Sequence, residues 1–402
     1  MVDIENILSD LGTKGNLRHL VHAGHCGGSM LIGGQRMLNL SSNDYLGLAS
    51  DAEFYADFLR NSGLGDYVMK AMSGESVYGK CIPEQFLFSS SSSRLLTGNF
   101  SIYEAVENEL CALYGTEAAL VFGSGYHANS GILPAVTGPD DVILADKLVH
   151  ASIIDGIRLS PAKTVRYRHQ DLDQLESLLK RHHTACGKIF IVTESIFSMD
   201  GDVTDLARLA ALKKEYGNVM LYVDEAHAVG VRGRTGLGVA QEQDCIPDID
   251  FLIGTLGKAL ASAGGYVVCT KAVRDFLVNR MRTFIFTTAL PPVNILWTLH
   301  VLKRLPVMSD RRDRLASLSE RLREGLAGAG YVSDSDSQIV PLVAGESFKA
   351  VEMARMFQRN GFYLLPVRPP TVPEGTSRLR ISLTASVTGD DVDHLLSLLP
   401  KK

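Results

Sequence analysis

The chain has 402 residues, 46% of them hydrophobic and 21% charged, with a formal net charge of −5. This length exceeds what one compact core normally fills, so we expect a large domain with smaller ones beside it. The acidic balance argues against binding to nucleic acid or to an anionic membrane, and no apolar run reaches the roughly 18 residues of a membrane span. The six cysteines show no C-x-x-C spacing, and the N-terminus lacks the basic start of a signal peptide. A cytoplasmic protein without disulfides or a metal site is expected.

The N-terminal part gives a mixed pattern. Residues 1–45 are predicted to form a short amphipathic helix, with Arg18 near its end, and a small strand pair within residues 28–40. Residues 50–93 contain helical patches, several glycines, a proline and a run of five serines. We therefore expect this second segment to be irregular or mobile.

From residue 100 onward, apolar runs alternate with amphipathic stretches. The runs predict strands at 118–122, 141–145, 164–168, 188–193, 219–223, 250–253 and 265–269. The amphipathic stretches predict helices that include 101–114, 171–182 and 206–215. This alternation predicts a large α/β domain with a mainly parallel seven-stranded sheet, which we assign to residues 46–290. Residues 291–402 should form a smaller α+β domain, in which the period-two pattern of 378–383 predicts a half-exposed strand.

A single lysine, Lys258, follows the apolar strand predicted at 250–253. An ammonium group at the end of a buried strand must be paired, used covalently or free to reach solvent, and a lone lysine usually reaches solvent. Two other stretches favour covalent use: LYVDEAH at 221–227 and FGSGYHAN at 122–129. The first supplies a carboxylate and an imidazole, and the second a glycine-rich helix start that favours a phosphate. Together with the amine, these groups match the requirements of pyridoxal 5′-phosphate.

The residues near these strand ends suggest individual roles. Asp224 could keep a pyridine nitrogen protonated, because a nearby opposite charge favours the charged form. His227 could reach the phenolic oxygen of the same ring, and His150 could stack on its face. Taken singly, Asp224 could be a helix cap, and His227 and His150 could be ordinary histidines of the core or of a strand end. Arg378 and Arg380 share one strand face, so we expect one to be solvated and the other to bind a substrate carboxylate.

Two rival interpretations depend on the same segments. The string DEAH at 224–227, with GESVYGK at 74–80, suggests a nucleic-acid-dependent ATPase. However, Cys81 lacks the hydroxyl that should reach Mg²⁺, Pro83 interrupts the helix that such a loop requires, and the chain has no basic face. A metal site on the acid and histidine of 224–227 lacks a third ligand at suitable spacing. Neither interpretation is favoured.

The motifs resemble those of the α-oxoamine synthases, which are pyridoxal-phosphate enzymes of fold type I. The resemblance extends from about residue 39 to residue 399. Its most specific segments are SNDYLGL at 42–48, HASIIDG at 150–156, ESIFSMDGD at 194–202, DEAH at 224–227 and GTLGKA at 254–259.

The resemblance implies that Lys258 binds the cofactor covalently and acts with Asp224, His227 and His150 in catalysis. It also implies further cofactor contacts, mainly to the phosphate, from Ser124, Gly125, Tyr126, Ser198, Thr255, Thr287 and Thr288. The last two would reach the cofactor of the neighbouring subunit. The family pattern thus predicts a homodimer with shared active sites.

On the substrate side, the resemblance implies that Arg380 binds the amino-acid carboxylate, with Asn43 and Thr371 near the substrate. Arg18 and Arg368 are the candidates for a distal carboxylate on the acyl chain.

Two segments, 282–292 and 368–380, most resemble the branch of the family that serves biotin synthesis. That branch condenses L-alanine with pimeloyl-CoA, or with a pimeloyl group on an acyl carrier protein, and releases CO₂. Sister branches use glycine with acetyl-CoA, or serine with palmitoyl-CoA, and the sequence alone leaves these alternatives open.

Overall fold

The computed structural model describes residues 3–74 and 81–400. The chain divides into two compact units. The small unit comprises Met1–Ser50, Ser198–Val203 and Asp310–Lys402, and the large unit comprises Asp51–Phe197 and Thr204–Ser309.

Helices and strands alternate along much of the described chain. The α-helices are α1 (Ile4–Thr13), α2 (Ala52–Ser62), α3 (Leu64–Met72), α4 (Ser101–Tyr114), α5 (Gly125–Val136), α6 (Ala151–Leu159), α7 (Leu172–His182), α8 (Leu206–Glu215), α9 (Val239–Glu242), α10 (Lys271–Arg280), α11 (Arg282–Ile285), α12 (Pro292–Arg304), α13 (Ser309–Gly328), α14 (Ser347–Arg359) and α15 (Gly389–Ser397). The β-strands are β1 (Gly24–Cys26), β2 (Ser29–Ile32), β3 (Gln35–Asn39), β4 (Ala118–Phe122), β5 (Val142–Asp146), β6 (Lys163–Tyr167), β7 (Ile189–Glu194), β8 (Val219–Asp224), β9 (Phe251–Thr255), β10 (Gly265–Cys269), β11 (Ile339–Gly345), β12 (Phe362–Tyr363), β13 (Pro366–Val367) and β14 (Ser377–Ser382). Short 3₁₀ helices lie at Glu84–Phe86, Ile246–Asp248 and Leu305–Val307.

The large unit is built on a seven-stranded sheet with the order β4-β10-β9-β8-β7-β5-β6. β10 is antiparallel to both of its neighbours, and the other pairs are parallel, so six strands run in one direction. This sheet confirms the predicted α/β fold. Each predicted strand lies within two residues of the observed one, because a buried apolar run is a strong local signal.

Apolar side chains of the strands pack against helices and hold the sheet in place. Strand residues such as Val192 and Ile253 form one buried cluster with Ile132 of α5 and Ile153 of α6. Since the parallel strands share a direction, their carboxyl ends lie along one edge of the sheet, where ligands bind in open α/β sheets. Polar residues that end these strands are therefore held near one another by a rigid apolar layer.

The prediction of an irregular segment over residues 50–93 is wrong for its first half, which forms α2 and α3. The side chain of Asp51 caps α2 by accepting a hydrogen bond from the amide of Phe54. Phe54 and Phe58 of α2 pack on aromatic residues of α12, so the helix is stabilised by a partner far away in sequence. Most of the GESVYGK motif, residues 75–80, lies outside the described residues.

The small unit contains a four-stranded sheet, β1-β2-β3-β12, and a three-stranded sheet, β11-β14-β13. The parallel pairing of β3 with β12 joins the N-terminal segment to the C-terminal one, whereas the sequence pattern predicts separate domains for them. Residues 292–304, predicted to belong to the C-terminal domain, form α12 and pack on α4 in the large unit. The predicted half-exposed strand is also wrong, because five of the six residues of β14 are buried.

No helix of residues 3–74 and 81–400 is both long enough and apolar enough to cross a membrane.

Candidate active site

The amine of Lys258 meets an imidazole at the edge of the large sheet. Lys258 lies just beyond β9, and its Nζ is 2.9 Å from Nε2 of His227. His227 follows β8, the neighbour of β9, and is 4% exposed. The parallel pairing of the two strands thus brings together two groups that are 31 residues apart in sequence. At this distance a proton can pass between the amine and the imidazole.

Asp224 is a buried carboxylate with a fixed orientation. It ends β8 and is 5% exposed. One carboxylate oxygen, Oδ1, accepts a hydrogen bond of 2.8 Å from the amide of Ala226, and Oδ2 accepts one of 2.6 Å from Nδ2 of Asn129. These hydrogen bonds occupy both carboxylate oxygens and fix the side chain at the sheet edge, where it can face a cationic group of a ligand.

A hydrogen-bonded relay extends from this carboxylate to His150. Nδ2 of Asn129 also donates to Oγ of Ser152 at 3.0 Å, and Oδ1 of Asn129 accepts from the hydroxyl of Tyr222 at 2.7 Å. Oγ of Ser152 lies 2.8 Å from Nδ1 of His150, which also accepts from the amide of Ser152 at 3.2 Å. Burial lowers the pKa of His150; the negative charge of Asp224 opposes this effect, and the positive charge of Lys258 adds to it. His150 is thus neutral near pH 7.

Two further carboxyl groups are buried near Asp224. Glu194 ends β7 beside Asp224, and burial, together with the charge of Asp224, raises the pKa of Glu194 well above its ordinary value. Its Oε1 is buried without a hydrogen-bond partner in the described residues. Burial also raises the pKa of Glu225 to about 7, although hydrogen bonds from Ser195 (2.5 Å) and from the amide of Ala240 (2.7 Å) oppose the rise. Burial thus favours the neutral form of Glu194, while Glu225 titrates near neutrality.

The start of α5 forms a narrow turn suited to an anion. Ser124 caps the helix by accepting a hydrogen bond of 3.0 Å from the amide of His127. A Cβ atom on Gly265 would lie 2.6 Å from the amide nitrogen of Gly125, so only glycine fits this close approach. The hydroxyl of Thr255 lies 3.5 Å from the position that a Cβ atom on Gly125 would take. First-turn N–H groups and a hydroxyl together can hold a phosphate.

The side chain of Tyr126 is directed elsewhere. Its hydroxyl donates to the carboxylate of Asp155 on α6, and the residue is 47% exposed. Only its backbone N–H group belongs to the start of α5. A phosphate contact from Tyr126 would therefore come from the main chain.

Thr287 and Thr288 follow α11 in a segment without regular structure. Thr287 is half-buried and Thr288 is exposed. The amide of the next residue, Ala289, donates to the carbonyl of Ser92 at 2.9 Å, and the hydroxyl of Ser90 donates to the carbonyl of Ala289. The serine-rich segment thus fixes the backbone that carries both threonines.

In the small unit, Arg380 is bound only by neutral acceptors in the described residues. Its Nε donates to the carbonyl of Ser198, its Nη1 to Oδ1 of Asn43 at 3.1 Å and to Oγ of Ser382 at 3.2 Å, and its Nη2 to the hydroxyl of Tyr45 at 3.1 Å. These contacts fix the guanidinium without neutralising its charge. Four of its five N–H groups are used in this way, and the remaining one, on Nη2, can donate a charge-assisted hydrogen bond to a carboxylate.

The neighbouring Arg378 has a different environment. It is 7% exposed, and its guanidinium forms an ion pair with Asp200. The expectation that one of the two arginines is solvated is therefore wrong. The sequence pattern could not reveal the acidic partner, which lies 178 residues away.

A second pair of arginines lies in the small unit. Nη2 of Arg18 donates to Oγ1 of Thr371 at 2.8 Å, and Nη1 of Arg368 donates to the carbonyl of Gly15. Burial and the positive charge of Arg18 lower the pKa of Arg368. Within residues 3–74 and 81–400, neither arginine forms a salt bridge, and Nε of Arg368 is buried without a partner. Arg18 lies five residues beyond the end of α1.

Four residues around Asp224 and His150 are not predicted from the sequence: Asn129, Ser152, Tyr222 and Glu194. Helical spacing could have identified Asn129, because it lies four residues after Gly125, one turn along α5. Glu194 could have been identified because it directly follows the strand predicted at 188–193. Nothing in the local pattern links Tyr222 or Ser152 to the relay. In the described part of the chain, no group of three or more histidine, cysteine, aspartate or glutamate residues could hold a metal ion.

Comparison with known proteins agrees with this geometry. The family described as aminotransferase class I and II matches residues 35–399. The chain belongs to this family. A family member from Haemophilus ducreyi, 8-amino-7-oxononanoate synthase, is 48% identical over 396 residues, covering 98% of each chain. A relative from Glaesserella parasuis, assigned provisionally to the same activity, is 50% identical over 393 residues, again covering 98% of each.

Solved structures of two family members have the same fold. Serine palmitoyltransferase from Sphingomonas wittichii superposes with a TM-score of 0.85 at 29% identity, covering 98% of this chain and 94% of that one. An 8-amino-7-oxononanoate synthase from Francisella tularensis gives a TM-score of 0.71 at 29% identity, covering 90% and 96%. These similarities confirm the α-oxoamine synthase family, fold type I and pyridoxal phosphate as the cofactor.

The residues of the large unit fit this cofactor. Pyridoxal phosphate needs an amine for its aldehyde, an anion for its pyridinium nitrogen and N–H donors for its phosphate. Lys258 offers the amine, Asp224 the buried anion, and the start of α5 with Thr255 the phosphate donors. The neutral His150 offers a flat ring of the kind that stacks on an aromatic face.

Proposed function

We propose that this enzyme condenses L-alanine with pimeloyl-CoA, or with a pimeloyl carrier protein, to give 8-amino-7-oxononanoate in cytoplasmic biotin synthesis. The observation that carries the proposal is the 48% identity to the Haemophilus ducreyi enzyme over almost the whole of both chains. The reaction breaks the Cα–H bond of alanine and forms a bond from Cα to the acyl carbon. The thiol then leaves, the alanine carboxyl group departs as CO₂, and a proton returns to Cα.

Lys258 binds the cofactor and moves the Cα proton. A neutral amine is required for the proton transfer, and the imidazole of His227 at 2.9 Å can accept the extra proton of the ammonium form. A general base placed in this way typically contributes about 10²- to 10⁴-fold in rate. When bound, pyridoxal phosphate supplies an electron sink for the charge that develops on Cα.

Asp224 would keep the pyridine nitrogen of the cofactor protonated, and the electron sink depends on that positive charge. Asn129 and the amide of Ala226 donate hydrogen bonds to the carboxylate of Asp224 and fix its orientation. Burial favours the neutral form of Glu194 beside it, which limits competing negative charge. The Asn129–Ser152 relay fixes the orientation of His150, whose neutral ring would cover the cofactor.

Arg380 binds the carboxylate of the amino-acid substrate. The support for this role is a guanidinium held in place by neutral groups, including Asn43 and Tyr45, which leave its charge available. Losing a charge-assisted hydrogen bond typically costs about 1.5 to 3 kcal/mol.

The paired Arg18 and Arg368 bind the distal carboxylate of the pimeloyl chain, with Thr371 orienting Arg18. Support for this role comes from two adjacent cations that form no salt bridge within residues 3–74 and 81–400, together with the buried, unpartnered Nε of Arg368. An anionic ligand would satisfy both guanidinium groups.

The active unit is a homodimer with shared active sites. In this arrangement Thr287 and Thr288 of one subunit contact the phosphate on the other, and Ser198 joins the cofactor contacts. The fixed backbone next to both threonines supports such a role, since a precise contact requires a rigid carrier.

A substrate panel tests the proposed function. Alanine with pimeloyl-CoA is compared with glycine plus acetyl-CoA and with serine plus palmitoyl-CoA, and thiol release is measured. We expect the highest kcat/KM for the first pair. A higher value for either rival pair would assign the chain to a sister branch of the family. Heptanoyl-CoA, which lacks the distal carboxylate, should be a poor substrate, and the advantage of pimeloyl-CoA should shrink in Arg368→Gln.

A further inference from the structure

Lys258 is followed by a turn whose backbone conformation is unfavourable for the residues that form it. The amide of Ala261 donates to the carbonyl of Lys258 at 2.9 Å, and the amide of Ser262 donates to the carbonyl of Leu256 at 2.8 Å. The φ angle of Ala261 is 47°, in the left-handed region. There the Cβ atom of any L-residue is strained, whereas glycine is not. Contacts from outside the turn must therefore stabilise this conformation.

Helix α12 supplies those contacts. The indole Nε1 of Trp297 donates to the carbonyl of Ala261 at 2.9 Å. The next residue of the turn, Ser262, places its Oγ 2.8 Å from Oγ1 of Thr298, the next residue of the helix. Two consecutive residues of the turn are thus bonded to two consecutive residues of α12. Trp297 is the only tryptophan in the chain.

The indole itself is fixed by aromatic packing. The rings of Phe54 and Phe58 on α2 meet it edge-to-face, with centroids at 5.5 and 5.0 Å. The imidazole of His300, one turn further along α12, lies 6.2 Å from it. Because these contacts hold the ring plane, they also set the direction of the indole N–H bond.

We propose that Trp297 is a positioning residue for Lys258. By holding Ala261 in the left-handed region, it fixes the turn that closes on the carbonyl of Lys258, and so the backbone from which the amine reaches His227. The inference rests on the role proposed for Lys258. Trp297 acts through the turn and takes no part in the proton transfer.

The test begins with Trp297→Phe, which retains an aromatic ring and removes the donor. Hydrogen–deuterium exchange is measured on the peptide that covers residues 256–264, and kcat and KM are measured with alanine and pimeloyl-CoA. We expect faster exchange in this peptide and not in the rest of the sheet. We also expect a kcat about 3- to 10-fold lower, as for one lost hydrogen bond, with an unchanged KM for alanine. Thr298→Val, which removes the second anchor, should give a smaller change of the same kind.

A second substitution distinguishes a positioning role of Trp297 from a general contribution to packing. Glycine adopts the left-handed region without strain, so Ala261→Gly in the Trp297→Phe background should recover both slow exchange and kcat. Leu302→Val, a buried change on the same helix, should lower the melting temperature and leave the exchange of the 256–264 peptide unaltered.

Three results would overturn the inference: unchanged exchange in Trp297→Phe, faster exchange without a fall in kcat, or a double variant that recovers neither. Failure of the proposed function would look different, because wild-type enzyme would then not turn over alanine and pimeloyl-CoA. In that case exchange would still test the anchoring of the turn. The pH titration of the visible absorbance of the lysine-bound cofactor would still report the position of the amine.

Discussion

Nζ of Lys258 and Nε2 of His227 lie 2.9 Å apart at the ends of two adjacent parallel strands. The pair combines a candidate covalent attachment point with a proton acceptor, and the strand pairing fixes their separation. His227 is buried while Lys258 is only half-buried, so the amine remains accessible to a ligand.

Replacing Lys258 by alanine should remove covalent cofactor binding and leave the fold intact. We expect the visible absorbance of the lysine-bound cofactor to disappear and turnover to fall by at least about 10²-fold, because the general base is lost. Far-ultraviolet circular dichroism should match that of the wild type. A variant that kept both the absorbance and the turnover would exclude Lys258 from this role.

Asp224→Asn tests the buried anion, since it preserves shape and removes charge. Turnover should fall by at least about 10²-fold, because a neutral amide no longer holds a pyridine nitrogen protonated. Asn129→Asp is the matched change on the other side of the same hydrogen bond, and it should lower turnover by placing two carboxylates in contact. Wild-type rates in Asp224→Asn, with folding verified, would contradict the assignment.

Arg380 and Arg378 offer a matched pair on one strand. Arg380→Ala should raise the KM for alanine about 10- to 150-fold, because it loses a charge-assisted contact. Arg378→Ala should instead lower the free energy of unfolding by about 1 to 3 kcal/mol, because it removes a buried guanidinium and its ion pair with the partly exposed Asp200. Steady-state kinetics and urea unfolding of both variants check this division. Reversed effects would show that the roles are exchanged.

Mixing two inactive variants tests the shared sites. Lys258→Ala chains and Thr287→Ala/Thr288→Ala chains should each be inactive as homodimers and should regain part of the activity in heterodimers. One of the two sites in each heterodimer would then contain an intact lysine and intact threonines. Mass spectrometry should verify heterodimer formation, and heterodimers without activity would argue for sites built within a single subunit.

The pKa of Glu225 predicts a pH-dependent stability. Because burial raises this pKa from 4.5 to about 7, the folded state favours the protonated form. The contribution of this group is fully present below pH 4.5 and is lost as the pH rises through 7, by on the order of 3 kcal/mol. In urea unfolding, the free-energy difference between wild type and Glu225→Gln should change by this amount between pH 4.5 and 8. A pH-independent difference would contradict the raised pKa.

Much of the large unit could be predicted from sequence because its signals are local. The apolar run at 118–122 and the amphipathic stretch at 101–114 appear in the structure at the same residues. Lys258 and Asp224 are recognisable in the same way, since each directly follows or ends a buried run. Parallel strands then place their ends at one sheet edge, so the direction of the strands is enough to group these residues.

Only the tertiary structure determined the contacts between segments that are distant in sequence. The burial of Arg378 depends on its ion pair with Asp200. The helix at 52–62 depends on packing against the distant helix α12. The two ends of the chain lie in one unit because β3 pairs with β12. Asn129 meets Asp224 across 95 residues. The local sequence pattern shows which face of a helix or strand is apolar, but it does not show which other segment of the chain packs on that face. The partner determines whether a polar side chain is solvated, paired or part of the site.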